Sequence, residues 1–151
     1  MSPTDAHPSG TQPRPGIHWT PAAEGALGAI GLLSLVSAAR RVPYLTSGYD
    51  EWWRNVIYLG SDLVLVLAGA VAILSLLTRG ATRVVAGVVA LAGAGMQLVS
   101  LAVENIHWFA RFADNIPGQV LASQLIGLVA GIGVAAVTAG LGLLLVLRHR
   151  D

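Results

Sequence analysis

Glu104 and His107 stand three residues apart in a strongly apolar run, close enough on a helix for their side chains to touch. They belong to a longer pattern. At about 100° per residue, Gln97, Ser100, Glu104, His107 and Arg111 fall within an arc of roughly 80°. The opposite side of that helix is Leu, Val, Ile and Ala, and of the strongly polar residues in 97–111 Asn105 alone leaves the stripe. Extended backwards, the stripe collects Gly93, Ala90 and Ala86, all small. A carboxylate, an imidazole and a guanidinium on one stripe can move a proton, hold an ion or small polar ligand, or neutralise one another. Glu104-x-x-His107 also has the spacing used in di-iron helical bundles. Such centres need a second copy of the motif and further carboxylates, and only Asp62 could supply one.

The elements that must carry this stripe follow from composition. The chain has 151 residues, 54% hydrophobic and 11% charged, with its charges set between long apolar segments. That is the pattern of a membrane protein rather than a soluble domain. A net charge of +1 without a basic patch gives no case for a nucleic-acid partner. Without cysteine, disulfides, thiolate metal sites and thiol chemistry are excluded.

Four spans are predicted, at about 21–40, 56–77, 84–109 and 119–147, preceded by a Pro-rich disordered tail over 1–18. Thr20-Pro21 starts the first span as N-cap and first helical residue. Arg40-Arg41 and Pro43 are expected to end it. Ser37-Ala38-Ala39 has the form of a signal-peptidase site, but the long preceding region and Glu24 argue against cleavage. Residues 42–55, with Tyr44, Tyr49, Trp52 and Trp53, read as an interfacial helical turn leading into the second span, with Ser47 and Asp50 spaced as a capping box. Val120 to Leu147 would extend roughly 42 Å, more than a hydrocarbon core of about 30 Å, so the last span must tilt or protrude. Short connections make sequential helices neighbours, so the expected fold is an all-α integral membrane protein, a four-helix up-down bundle occupying 19–151.

Arg14, Arg79, Arg83, Arg148 and Arg150 would lie on the side of the termini, against Arg40, Arg41, Arg54 and Arg111 opposite. This places both termini, and the tail, in the cytoplasm of a bacterial inner membrane. Trp108 and all the other aromatic residues except Trp19 then belong to the outer side.

Depth accounting gathers the polar groups. Glu104 should lie roughly 10 Å, and Asp62 roughly 7 Å, to the outer side of the midplane. Gln97, Ser100, His107, Arg111, Arg40, Arg41 and Gln124 join them in one layer. Carboxylates at this depth face the bundle interior and pair with something. The structural reading is ion pairing with the arginines to fix helix register. The functional reading is an outward cavity for a proton, ion or polar ligand. Glu24 is expected in the first helical turn, where the helix dipole favours an anion and the interface hydrates it. As a lone glutamate in the first span of a small four-span chain it resembles the proton-coupled small multidrug resistance transporters, although its neighbours do not match theirs.

Ser34, Ser61, Ser75, Ser100 and Ser123 are expected to bond to their own helices. No catalytic residue, metal-ligand set or cofactor is assigned. Small residues at four-residue spacing, above all Gly127 and Gly131, allow close approach within the bundle or between two bundles. The function expected is therefore a non-enzymatic accessory subunit or a partner- or lipid-binding module, with the bilayer, a protein partner or a second copy as its contacts. The alternative is a small transporter-like or ligand-binding bundle using Asp62, Glu104 and His107. A metal-dependent membrane enzyme stands third.

Overall fold

The computed structural model describes residues 19–46, 52–78, 80–112 and 117–148. They form four α-helices: α1 (Trp19–Thr46), α2 (Trp52–Thr78), α3 (Ala81–Phe112) and α4 (Gly118–Leu147). All four are long and apolar enough to cross a membrane. The tail over 1–18, Tyr49 and the Ser47–Asp50 pair lie outside the described residues.

The helices outrun the spans expected from hydrophobicity. α1 continues past Arg40-Arg41 and through Pro43 to Thr46. A proline removes one backbone hydrogen bond, here the one to the carbonyl of Ala39. So close to the helix end, the loss weakens the last turn without stopping it. α2 begins at Trp52, so Trp52 and Trp53 form a helical turn continuous with the second span, while Tyr44 belongs to α1. Between α2 and α3, Gly80 takes φ +76°, in the left-handed region that glycine tolerates. Its carbonyl then accepts the N–H of Arg83 at 3.1 Å. The turn is tightened further by Thr78 and Thr82, whose hydroxyls meet at 2.7 Å.

Helices adjacent in sequence pack side by side. Gly28 lies on Ile73, Gly31 on Gly69, and Ser37 against Asp62, so partner numbers in α2 fall as those in α1 rise. The same opposed register joins α2 to α3 and α3 to α4, where Gly87 meets Gly142 and Gly131 meets Leu101. α4 touches α1 only sparingly.

Two crossings bring backbones into contact. A Cβ on Gly31 would stand 2.9 Å from the Cα of Gly69, and one on Gly87 would stand 2.6 Å from the carbonyl oxygen of Gly142. Around them Ala23, Leu27, Ala68, Ala72, Ala86, Ala90 and Leu145 form a core dominated by alanine. This suits a lipid solvent, where helices associate by close van der Waals approach rather than by hiding bulky side chains from water.

The C-terminal ends of α1 and α3 and the N-terminal end of α2 meet at one end of the bundle. Tyr44, Trp52 and Trp53 are exposed there, and Trp108 packs edge-on to Phe109 with ring centroids 5.2 Å apart. This is called the aromatic end below. Trp19 is at the other end.

Candidate functional site

Two polar clusters sit on the α1–α2 interface, one on either side of the Gly31–Gly69 crossing. At the aromatic end Asp62 Oδ2 accepts the hydroxyl of Ser37 at 2.8 Å and the Nε–H of Arg41 at 3.3 Å. Ser37 and Arg41 are one helical turn apart on α1, so both present to the same α2 carboxylate. The Arg41 guanidinium also lies over the Tyr58 ring, 4.6 Å from its centroid. Tyr58 is one turn before Asp62 on α2.

The stripe on α3 faces inward along most of its length. Ala86, Ala90, Gly93 and Ser100 are buried, Gln97, Glu104 and His107 are half-buried, and Arg111 is exposed at the helix end. Ser100 donates to its own helix, to the carbonyl of Met96 at 2.9 Å, as Ser123 does to Val120. Gln97 Oε1 is buried without a hydrogen-bond partner among the described residues. Asn105, which helical periodicity sets off the stripe, is buried as well and donates to the Leu101 carbonyl at 2.8 Å. Gln124 is half-buried on α4, and Arg40 is exposed. Within the layer expected from sequence, then, the structure joins Asp62 to Arg41 directly. Among the described residues no group of three His, Asp or Glu side chains could hold a metal ion.

The second cluster is at the opposite end and is more deeply buried. Glu24 is fully inaccessible, and its Oε1 accepts both the Ser75 hydroxyl and the Arg83 Nε–H at 2.7 Å. Glu24 is therefore not a hydrated first-turn residue. α1 starts at Trp19, five residues earlier, which carries Glu24 under the bundle. Ser75 Oγ is also 2.7 Å from the Ala72 carbonyl, so its single proton is shared between two acceptors. Glu24 Oε2 is buried without a hydrogen-bond partner among the described residues. The turn at Gly80 allows this arrangement, because it returns the chain so that the start of α3 lies beneath α1.

The two clusters share a design: one carboxylate oxygen, one serine hydroxyl and one arginine Nε. Along α2, Asp62 and Ser75 are separated by about 20 Å at 1.5 Å per residue. The chain matches no known protein family, no curated protein and no solved structure. What the site does therefore rests on its geometry. Each carboxylate is engaged by donors from a neighbouring helix, which neutralises charge and pins α1 to its neighbours. In each cluster the carboxylate oxygen that accepts the serine hydroxyl also accepts an arginine Nε–H, so the carboxylate is held in an ion pair.

Ser37, Tyr58, Ser75 and Arg83 are partners that sequence reasoning did not assign. A usable signal existed for Arg83: a glutamate inside a span requires a cation, and Arg83 follows the turn glycine Gly80 in the α2–α3 connection.

Two surface features remain. At the aromatic end an open cleft of about 700 Å³ runs between α1 and α2, lined by Leu33, Val36, Arg40, Arg41, Tyr44 and Asn55. A groove of about 320 Å³ between α1 and α4 is lined by Ile30, Ala130, Gly133, Val134 and Val137. Of the glycine pair singled out earlier, Gly131 is packed on Leu101, whereas a Cβ on Gly127 would meet nothing within 4 Å.

Proposed function

We propose that this chain is an up-and-down, four-span integral protein of a bacterial inner membrane, with both termini in the cytoplasm. It acts as a non-enzymatic accessory subunit that receives a partner helix, from another protein or a second copy, against α4. The observation that carries this reading is the free face of α4. That helix is charge-free, leaves Ile126, Val129, Val134 and Val137 exposed, and borders an apolar groove floored by Ala130 and Gly133. Small residues flanked by branched ones let a second helix approach closely, which is the main source of helix association in lipid.

The engagement of Asp62 by Ser37 and Arg41 supports a structural role for the outer polar layer over a titrating one. A role for Glu104 in ligand binding would show as loss of a pH-dependent binding or transport signal in Glu104→Gln at unchanged stability. Under the structural reading the same variant loses stability in detergent and nothing else. For the accessory-subunit reading, the test is purification from native membranes in a mild detergent. The expected result is a stoichiometric companion or a dimer. A chain that elutes alone as a monomer, at a detergent concentration just above micelle formation, overturns it.

A further inference from the structure

The cleft at the aromatic end has a graded chemistry that the docking of a helix on α4 does not use. Leu33, Val36, Ser37, Arg40, Arg41 and Tyr44 recur every three or four residues, so they form one stripe of α1 about 16 Å long at 1.5 Å per residue. Its lower part is apolar and open, with Leu33 71% and Val36 54% exposed. Its upper part carries two guanidiniums and a phenol. Asn55, on the first turn of α2, closes the cationic end, where the free N–H groups of a helix start favour an anion.

Charge sharpens the assignment. Among the described residues no carboxylate lines the cleft, and Asp62 behind it pairs with Arg41. Arg40, which also lines the cleft, is exposed and in no ion pair among the described residues. Arg41 is not free to swing, because Asp62 holds its Nε and the Tyr58 ring lies under its guanidinium. A ligand entering from the bilayer thus meets an apolar trough, then a preset guanidinium and an exposed one at the level of the aromatic residues. From these observations we infer that the α1–α2 cleft binds one phospholipid with a monoanionic phosphodiester headgroup. An acyl chain lies along Leu33 and Val36, and the phosphate sits between Arg40 and Arg41. The site is independent of whatever docks on α4.

The test is native mass spectrometry of the full chain in a neutral detergent, titrated with phosphatidylglycerol or phosphatidylcholine of the same acyl chains. The expected result is one saturable phosphatidylglycerol adduct that phosphatidylcholine does not match. Loss of one juxtamembrane positive charge in Arg40→Gln should weaken it about fivefold. Arg40→Lys, which keeps the charge, should retain most of the binding, and Arg148→Gln at the far end should change nothing. Equal occupancy by the two lipids, undiminished binding by Arg40→Gln, or equal weakening by Arg148→Gln overturns the proposal. Water-soluble glycerol phosphate should fail to displace the lipid at equal concentration. Displacement would mean that the apolar trough is not part of the site, and would overturn the lipid assignment.

Discussion

Arg83 Nε meets Glu24 Oε1 at 2.7 Å, joining α3 to α1 across 59 residues of chain. The glutamate is fully buried, while the arginine side chain keeps 22% of its exposure. Removing one member of a buried pair strands the other charge in a low-dielectric interior, a loss of about 3–5 kcal/mol. Arg83→Met should therefore destabilise the protein by that order, and Glu24→Gln in the Arg83→Met background should recover much of it. Thermal unfolding in a single detergent measures the cycle. If the double variant is no more stable than Arg83→Met alone, Glu24 is not the stranded charge.

The Gly31–Gly69 contact predicts a sharp positional contrast. Gly69→Ala would push its Cβ to 2.8 Å from the Cα of Gly31, backbone against backbone with no side chain to give way. Overpacking of this kind costs typically 1–3 kcal/mol. Gly25→Ala and Gly127→Ala meet nothing within 4 Å, and alanine is the better helix former, so both should be neutral or slightly stabilising. Melting temperatures of the three variants check this. Equal losses at Gly69 and Gly127 would contradict the close approach of α1 and α2.

At the other clamp, Asp62→Ala should cost less than breaking the Glu24 pair. Asp62 keeps 14% and Arg41 35% side-chain exposure, and the Arg41 guanidinium retains its seat over Tyr58 when the carboxylate is gone. The loss expected is about 1–3 kcal/mol, the scale for stripping a part-buried donor of its acceptor. Ser37→Ala should cost less again, because Arg41 still neutralises Asp62. Denaturation midpoints that reverse this order would place the main anchor of Asp62 on Ser37 instead of Arg41.

Much of this was legible in the sequence, and the reasons divide cleanly. Four long apolar segments imply four helices because hydrophobic length is a property of single residues summed along the chain. Depth alone puts Asp62 in one layer with Arg40, Arg41, Arg111 and His107, and does not choose among them; the packing of α1 on α2 selects Arg41. Ser37 was not foreseen, because any serine on α1 could have returned a hydrogen bond to its own helix. Glu24 illustrates a different limit. Its depth depends on where α1 starts, and a shift of a few residues moves a carboxylate from the interface to a position under the bundle. The glycines show a third. Gly31, Gly69, Gly87 and Gly142 are no more conspicuous in the chain than Gly25 or Gly127, yet only the crossing geometry of helix pairs decides which of them touch. Pro43 was misleading for a physical reason: its missing hydrogen bond matters little in the last turn of a helix.

The α4 face gives the most direct test of the proposed role, because the chain has no cysteine of its own. A single introduced thiol is therefore the sole reporter. Val129→Cys and Val137→Cys stand on the exposed face, at 69% and 58% exposure, beside the groove with α1. Ala90→Cys, fully buried against the core, is the internal control. In native membranes, a short bifunctional crosslinker should link the two α4 variants to a protein or to a second copy, and leave Ala90→Cys unlinked. Both α4 positions lie about two helical turns apart on one face, so a docked helix should make both crosslink together. A complete lack of crosslinked species at Val129 and Val137 in native membranes would mean that α4 faces lipid alone. The accessory-subunit reading would then fail, while the α1–α2 cleft and its lipid chemistry would stand untouched.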